Sequence, residues 1–225
     1  MCGRFTLAVD PTDLMETFPG FAVPDGWTPR YNIAPSQPVA VIPNTEGHKI
    51  EFFRWGLIPS WAKDPKIGNR MINARAETLA EKPSFRVPYR RRRCLVLADG
   101  FYEWRKEAGS KKKTPMYVRL KSGKPFAFAG LWESWRSPDA QEVLSCTVIT
   151  TAPNSLVEKI HNRMPVILEP EAYELWLDPA EQSPDRLGVW LKPYLDSQMM
   201  AFAVSTLVNS PQNDSPACIQ PVGAD

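Results

Sequence analysis

Cys2, the second residue of this sequence, is the first candidate for chemistry. The initiating methionine is generally removed when a small residue follows it, and the Cys2-Gly3 opening meets that condition. Removal would expose an α-amine beside the thiol, and both groups are partly deprotonated near neutral pH. An aldehyde can form a Schiff base with such an amine, after which the thiol closes a five-membered thiazolidine ring. Taken alone, Cys2 could equally be a small residue that begins the first strand.

Four other segments place polar residues inside otherwise apolar sequence, and departures of this kind often mark a functional site. The segments are RYNIAP at 30–35, INARAE at 72–77, DGFYEW at 99–104 and IHNRMP at 160–165. Their titratable and amide side chains are the candidates to assist Cys2.

Glu103 stands between Tyr102 and Trp104 in a run that we expect to be mostly buried. Burial would raise the pKa of its carboxyl group, which suits general acid–base catalysis. The alternative is a glutamate on the solvent face of an alternating strand, which is the commoner situation for an isolated Glu.

His161 and Asn73 are the next candidates. His161 follows a predicted helix and precedes the apolar run 164–168, so it could transfer a proton, although a single histidine is more often structural. The amide of Asn73 could hold a thiol, amine or carbonyl group in position, or it could cap a turn. The other histidine, His48, lies in a turn-like segment and is expected to be exposed.

Arginines and tryptophans in the same motifs indicate a nucleic-acid partner. Arg4, Arg75 and Arg163 carry guanidinium groups that can bind phosphates. Tryptophans can stack on bases, although most of the eight should lie in the core, and Trp61 is expected to be the most exposed. The basic runs at 90–93 and 111–113 are either nucleic-acid patches or solvated surface beside strands.

The bulk composition limits the class of protein. A chain of 225 residues with 43% hydrophobic content can form one sizeable core and one domain. Because the net charge is only +2, a polyanion would have to meet a local basic patch. The four cysteines lack a CxxC pair, so we expect neither a metal site nor a cofactor. The N-terminus has no continuous apolar stretch, which favours a cytoplasmic protein without a membrane anchor.

Short apolar runs bounded by Pro and Gly predict the strands that must position these residues. The runs lie at 39–43, 50–57, 94–104, 116–120, 126–132 and 144–152. Helices are predicted after the Asp10-Pro11 pair and at 152–160, 169–177 and 185–194. The mixture predicts an α+β fold with a strand-rich centre, in a single domain over 1–225 whose polar tail, 209–225, is loose.

Six segments taken together resemble the SOS response-associated peptidase (SRAP) family. They are MCGRF at 1–5, RYNIAP at 30–35, WGLIPSW at 55–61, NARAET at 73–78, DGFYEW at 99–104 and HNRMP at 161–165. The segments occur in order, and the match runs from Met1 to about Pro170. The fold that the resemblance implies is a mixed β-sheet with a barrel, edged by helices.

The resemblance also implies a function. Proteins of that family look like abasic-site sensors, which bind single-stranded DNA, including at junctions with duplex, and join their N-terminal cysteine to the sugar aldehyde as a thiazolidine crosslink. Cys2 would be the nucleophile, Asn73 its positioning partner and Glu103 the acid–base. His161 would assist opening of the sugar ring and reversal. The expected DNA-binding residues are Arg4, Asn32, Trp61, Arg75, Trp104 and Arg163.

Further expectations come with the same resemblance. The peptidase name refers to removal of the protein's own Met1, and an abasic-site lyase activity could proceed through the Schiff base. We expect a monomer that is associated with the nucleoid when bound to DNA.

Two other functions fit parts of the sequence. An amidotransferase could use an N-terminal cysteine to attack glutamine, but Arg4-Phe5 replaces the apolar continuation typical of those enzymes. A module that only binds single strands would use the arginines and tryptophans and would not need the thiol of Cys2.

Overall fold

The computed structural model describes residues 2–47, 49–107, 109 and 112–223. The strands are β1 (Phe5–Leu7), β2 (Arg30–Ile33), β3 (Pro38–Pro43), β4 (Glu51–Trp55), β5 (Asn73–Arg75), β6 (Arg93–Ala98), β7 (Gly100–Lys106), β8 (Lys113–Leu120), β9 (Phe126–Arg136), β10 (Glu142–Thr151), β11 (Met164–Pro165), β12 (Ile167–Leu168) and β13 (Met199–Ala203). The α-helices are α1 (Pro11–Thr17), α2 (Arg86–Arg91), α3 (Ser155–Glu158), α4 (Tyr173–Leu177) and α5 (Pro184–Gly188). Short 3-10 helices span Pro65–Arg70, Ala76–Thr78, Pro170–Ala172, Asp196–Gln198, Thr206–Asn209 and Pro216–Ile219.

Five of the described strands close into a barrel. Their order is β4, β3, β6, β9 and β10, and β10 returns to β4 as a parallel neighbour, whereas the other pairs are antiparallel. Every residue of β6 is buried, which explains why its sequence is apolar without alternation. Closure pairs the backbone groups that would otherwise form a sheet edge.

A second, antiparallel sheet has the order β13, β8, β7, β1 and β2. This sheet is continuous with the barrel along the chain, because β6 passes directly into β7 through Asp99. Gly100 follows this crossing, and a Cβ there would lie only 2.2 Å from the hydroxyl of Tyr117, so the close approach requires glycine. The chain that forms the barrel wall therefore continues into the sheet that carries the N-terminus.

Aromatic rings join β1 to the barrel. The ring of Phe5 lies 4.9 Å from that of Trp55 and 5.7 Å from that of Phe128, both in edge-on geometry. Phe101 of β7 also packs edge-on against Phe128, at 6.1 Å. Edge-on aromatic pairs contribute about 0.5–1.5 kcal/mol each beyond their buried area. They fix the position of the short first strand.

The structure confirms the α+β class and a strand in each predicted apolar run. It also confirms the helix start after Asp10, whose carboxylate accepts hydrogen bonds from the backbone N–H groups of Thr12 and Asp13. The predicted helices at 152–160 and 185–194 were too long. The first is helical only over Ser155–Glu158, capped by Asn154, and the second ends at Gly188. Their outer residues satisfied the helical spacing but pack as loops.

The tail from Asn209 is not loose over the residues that the structure describes. The carboxylate of Asp214 accepts hydrogen bonds from Arg30 Nε at 2.5 Å and from the backbone N–H groups of Tyr31 and Asn32. The side chain of Cys218 is fully buried. Polar composition predicted a solvated segment, but these polar groups are paired with β2.

Arg93 is fully buried at the start of β6. Its guanidinium donates hydrogen bonds to the backbone carbonyls of Trp176, Arg90 and Asp178. Those carbonyls belong to the ends of α2 and α4, where helices leave acceptors without a partner. One side chain therefore ties both helix ends to the barrel.

We expect Arg93→Leu to lower the free energy of unfolding by about 3 kcal/mol or more, because several buried carbonyls would lose their donor. Urea denaturation would measure the change. The matched control is Arg91→Leu, since Arg91 is exposed and surface substitutions usually change stability by about 0.5 kcal/mol or less. Equal stabilities of the two variants would contradict this account of Arg93.

Candidate active site and nucleic-acid interface

Strand pairing brings the N-terminus beside Glu103. Phe5 lies opposite Phe101 and Thr6 lies opposite Gly100 in the antiparallel pair of β1 and β7. Continued two residues toward the N-terminus, this register places position 3 alongside position 103. The residue before it is Cys2, so the thiol and the carboxyl group are neighbours because of the register.

The thiol of Cys2 is fully buried. Its Sγ lies 3.8 Å from the carbonyl oxygen of Arg4. Desolvation raises the pKa of this thiol well above its ordinary value, and the negative charge of Glu103 raises it further. The sulfur is therefore protonated at neutral pH, and its use as a nucleophile requires a base.

Asn73 is the second predicted residue at this position. Strand β5 runs parallel to β10, with Asn73 opposite Val148, and this pairing aims the amide at the N-terminus. Asn73 Nδ2 donates a hydrogen bond to the carbonyl oxygen of Cys2 at 2.7 Å. Its Oδ1 is buried and accepts no hydrogen bond from the described residues. The amide thus holds the Cys2 backbone and retains an acceptor.

Glu103 lies in the middle of β7 with only 3% of its surface exposed. Desolvation raises the pKa of its carboxyl group, whereas the positive charge of His161 and the backbone N–H of Trp104 act in the opposite direction. The expected burial is therefore present. Raising the pKa of a carboxyl group toward the working pH favours its use as a general acid–base.

His161 follows α3 and is half-buried. Its Nδ1 lies 3.1 Å from the backbone nitrogen and 3.3 Å from the backbone oxygen of Arg163, so either tautomer of the ring finds a partner there. Through its effect on the Glu103 pKa, His161 belongs to the same group as Cys2 and Asn73. His48 lies outside the described residues.

Arg4 and Asn32 form one hydrogen-bonded unit beneath this site. Arg4 Nη1 donates to Asn32 Oδ1 at 2.7 Å and to the carbonyl oxygen of Val208 at 2.6 Å, and the guanidinium lies 5.9 Å from the ring centroid of Trp104. Asn32 is fully buried, and its Nδ2 donates to carbonyls of the C-terminal segment, including that of Asn213. The amide of Asn32 therefore contacts Arg4 and the C-terminal segment, and it is not exposed to a ligand.

Arg163 is engaged with protein partners. Its two terminal nitrogens contact the two carboxylate oxygens of Glu77 at 2.6 and 2.9 Å, and Nη2 also donates to the carbonyl oxygen of Thr150 at 2.6 Å. The hydrogen bonds from Arg163 hold the pKa of Glu77 below its ordinary value. Arg75, by contrast, is exposed.

The tryptophans divide as expected. Trp61 is 57% exposed, whereas Trp55 is fully buried and donates from Nε1 to the carbonyl oxygen of Ile72. Trp104 is half-buried, and its Nε1 donates to Asn209 Oδ1 at 2.8 Å. Trp61 is therefore the most exposed of the tryptophans.

The basic run at 90–93 does not form a patch. Arg90 and Arg91 both pair with Glu181, and Arg92 pairs with Glu133 at 2.8 Å. Arg93 is buried, as described above. In the run at 111–113, Lys111 lies outside the described residues, while Lys112 and Lys113 are exposed.

Sequence reasoning missed a cavity next to the site. It has a volume of about 430 Å³ and lies between the β7–β8 hairpin and the residues that follow α3, with Trp104 and His161 in its lining. Arg105, Lys106 and Lys159 also line it.

Neither a metal nor a membrane span is indicated by the part of the chain that the structure describes. It contains no group of three or more His, Cys, Asp or Glu side chains that could hold an ion. No helix among the same residues is long and apolar enough to cross a bilayer.

This chain belongs to the SOS response associated peptidase (SRAP) family, whose sequence profile matches residues 1–211. The resemblance seen in the six segments is thereby confirmed, and the match extends beyond Pro170. Asp214, which anchors the C-terminal segment, lies outside the matched range.

Particular relatives agree with this membership. The chain is 52% identical over 223 residues to the abasic site processing protein YoqW of Bacillus subtilis (strain 168), covering 98% of this chain and 99% of that protein. It is 32% identical to the abasic site processing protein HMCES of Pongo abelii, covering 99% of this chain and 76% of that protein. A crystal structure of a protein from Bacteroides thetaiotaomicron superposes with a TM-score of 0.87 at 29% identity, covering 98% of this chain and 99% of that one.

Burial of Glu103 has a consequence for stability. The pKa of this carboxyl group in the folded protein is raised above the ordinary 4.5. Its contribution to the free energy of unfolding is therefore fully present below pH 4.5 and is lost as the pH rises through the folded pKa. Glutamine does not titrate. We therefore expect Glu103→Gln to be more stable than the wild type at pH 7, by a margin that shrinks toward pH 4.

Urea denaturation at several pH values would measure this margin. Glu81→Gln is the control, because Glu81 is exposed and its substitution should give no comparable rise with pH. A Glu103→Gln variant that is less stable than the wild type at pH 7 would contradict the proposed effect of desolvation.

Proposed function

We propose that this protein recognises abasic sites in single-stranded DNA and attaches to them covalently through Cys2. The observation that carries the proposal is the convergence of Cys2, an amide and a buried carboxyl group, and removal of Met1 would turn Cys2 into an N-terminal aminothiol. Asn73 bonds the Cys2 backbone at 2.7 Å, and Glu103 contributes to the raised pKa of the thiol. Relatives with 52% and 32% identity are named abasic site processing proteins, which supports the same substrate.

The reaction would begin after removal of Met1, which the family's peptidase name suggests is an activity of the protein itself. The α-amine of Cys2 attacks the aldehyde carbon of the ring-opened abasic sugar and forms a carbinolamine. Its hydroxyl group takes up a proton and leaves as water, which gives a protonated Schiff base. The thiol then loses a proton as its sulfur adds to the same carbon, and the nitrogen becomes the neutral N–H of the ring. The sum is one aldehyde and one aminothiol converted to one thiazolidine and one water.

Glu103 would serve two of these steps in turn. In its protonated form it donates a proton to the departing hydroxyl group, and the resulting carboxylate then accepts the proton of the Cys2 thiol. The second step matters because the buried thiol is protonated at neutral pH. Desolvation raises the pKa of Glu103, which favours the protonated form that the first of these steps needs.

Asn73 would position Cys2, and His161 would assist opening of the sugar ring. The Asn73 side chain holds the Cys2 carbonyl, and its buried Oδ1 can accept a hydrogen bond from the amine. His161, whose Nδ1 lies beside the Arg163 backbone, would exchange a proton with the sugar through its ring. The same proton transfer in the opposite direction would reverse the crosslink, and strand cleavage from the Schiff base would be a lyase outcome.

Cys2→Ala should abolish the crosslink. Wild-type protein incubated with single-stranded DNA that contains one abasic site should give a species that survives denaturing electrophoresis, and the variant should give none. Cys94→Ala is the matched control, since Cys94 is a buried cysteine of β6 and should leave the crosslink in place. An undiminished yield in Cys2→Ala would eliminate the thiazolidine mechanism, because another group of the protein would then form the covalent bond.

Glu103→Gln should slow crosslinking by about a hundredfold or more while changing DNA affinity by no more than about twofold. The reason is that a general acid–base contributes roughly 10²–10⁴ in rate, whereas a buried carboxylate does not attract DNA phosphates. Single-turnover crosslinking and anisotropy titration with undamaged DNA would separate the two effects. A parallel loss of rate and affinity would indicate a structural role for Glu103.

A further inference from the structure

The cavity beside His161 shares that residue with the candidate active site. Trp104 also lines it, and the ends of β7 and β8 form one wall. The segment that follows α3 forms the other wall. At about 430 Å³ it has room for a sugar-phosphate unit, a volume within the range typical of ligand sites.

Its lining is rich in positive charge. Arg105, Lys106, Lys113 and Lys159 contribute cations from both walls, against one carboxylate, that of Glu158. The whole chain carries a net charge of only +2, so this density is local. A cleft lined mainly by one sign of charge concentrates the opposite sign. The cavity therefore suits a polyanion.

We call this cavity the groove. Its cations are more available to a ligand than the arginines of the motifs. Arg163 is held by Glu77 at 2.6 and 2.9 Å, and Arg4 by Asn32 and Val208 at 2.7 and 2.6 Å. Arg105 contacts Glu107 only at 3.3 and 3.4 Å, and both side chains are about 40% exposed. A phosphate can compete with so long and exposed an ion pair, because such pairs contribute little free energy.

We propose that this groove binds phosphates of the DNA strand next to the abasic nucleotide, with Arg105 and Lys159 gripping the backbone from opposite walls. The inference rests on the proposed function for the identity of the ligand. It adds binding residues outside the six predicted from the sequence. Glu107 competes with the DNA for Arg105, and so limits the affinity.

The double variant Arg105→Gln/Lys159→Gln tests the groove. Anisotropy titrations with a single-stranded oligonucleotide that lacks an abasic site would give the affinity at several salt concentrations between about 50 and about 200 mM. Over that range the release of counterions from the DNA makes the affinity depend on salt. The slope of log affinity against log salt should become shallower by about 0.7 for each lost phosphate contact, and hence by about 1.4 in total. Glu107→Gln should bind more tightly than the wild type, since it releases Arg105.

The control variant is Lys124→Gln/Arg136→Gln, which removes one lysine and one arginine from exposed positions at the two ends of β9. It should keep the wild-type slope. Reaction of Cys2 with 2-deoxyribose, an aldehyde source without phosphate, should proceed equally in the wild type and both double variants. An unchanged slope in Arg105→Gln/Lys159→Gln, or one equal to that of the control, would overturn the groove proposal.

Failure of the two proposals would look different. Were the wild type to form no crosslink with abasic DNA, the proposed function would fail while the salt dependence on undamaged DNA still decided the role of the groove. A wild type that crosslinks normally, with a double variant that binds undamaged DNA as the wild type does, would exclude the groove alone.

Discussion

Strand β1 is only three residues long, yet its pairing with β7 determines where the N-terminus lies. The backbone N–H of Tyr102 donates to the carbonyl oxygen of Arg4, and the N–H of Asp99 donates to that of Thr6. The carboxylate of Asp99 adds bonds to the Thr6 hydroxyl group and to the Ala8 N–H. A shift of one residue in this register would turn every side chain of β1 to the opposite face. The proximity of Cys2 to Glu103 therefore depends on the β6–β7 crossing.

The burial that this pairing imposes opposes the ionisation of the site residues. Desolvation raises the pKa of the Cys2 thiol and of the Glu103 carboxyl group, so both favour their neutral forms. A neutral thiol is a poor nucleophile in isolation, but a neighbouring carboxyl group that can exchange protons compensates for this. The same environment excludes the thiol from bulk solvent. Stability lost by burying Glu103 is thus linked to its proposed proton transfers.

Positive charge is arranged in two ways around the site. Arg4 and Arg163 are bound to protein acceptors, so they stabilise the C-terminal segment, β10 and the residues near His161. Arg105 and Lys159 line an open groove. Whether an arginine is bound to the protein or remains accessible is therefore decided by the acceptors within its reach, and not by the motif in which it occurs.

The sequence by itself determined the α+β class, the strands in its six apolar runs, the family and the candidate residues Cys2, Asn73, Glu103 and His161, because these follow from apolar runs and from residue types in a fixed order. It did not reveal the bonded tail held by Asp214, the burial of Arg93 or the loop ends of two predicted helices, since each depends on contacts between residues far apart in the chain. The groove was beyond its reach for the same reason. Its walls, carrying Arg105 and Lys159, meet only through the tertiary structure, where hydrogen bonding and burial decide which charges remain accessible.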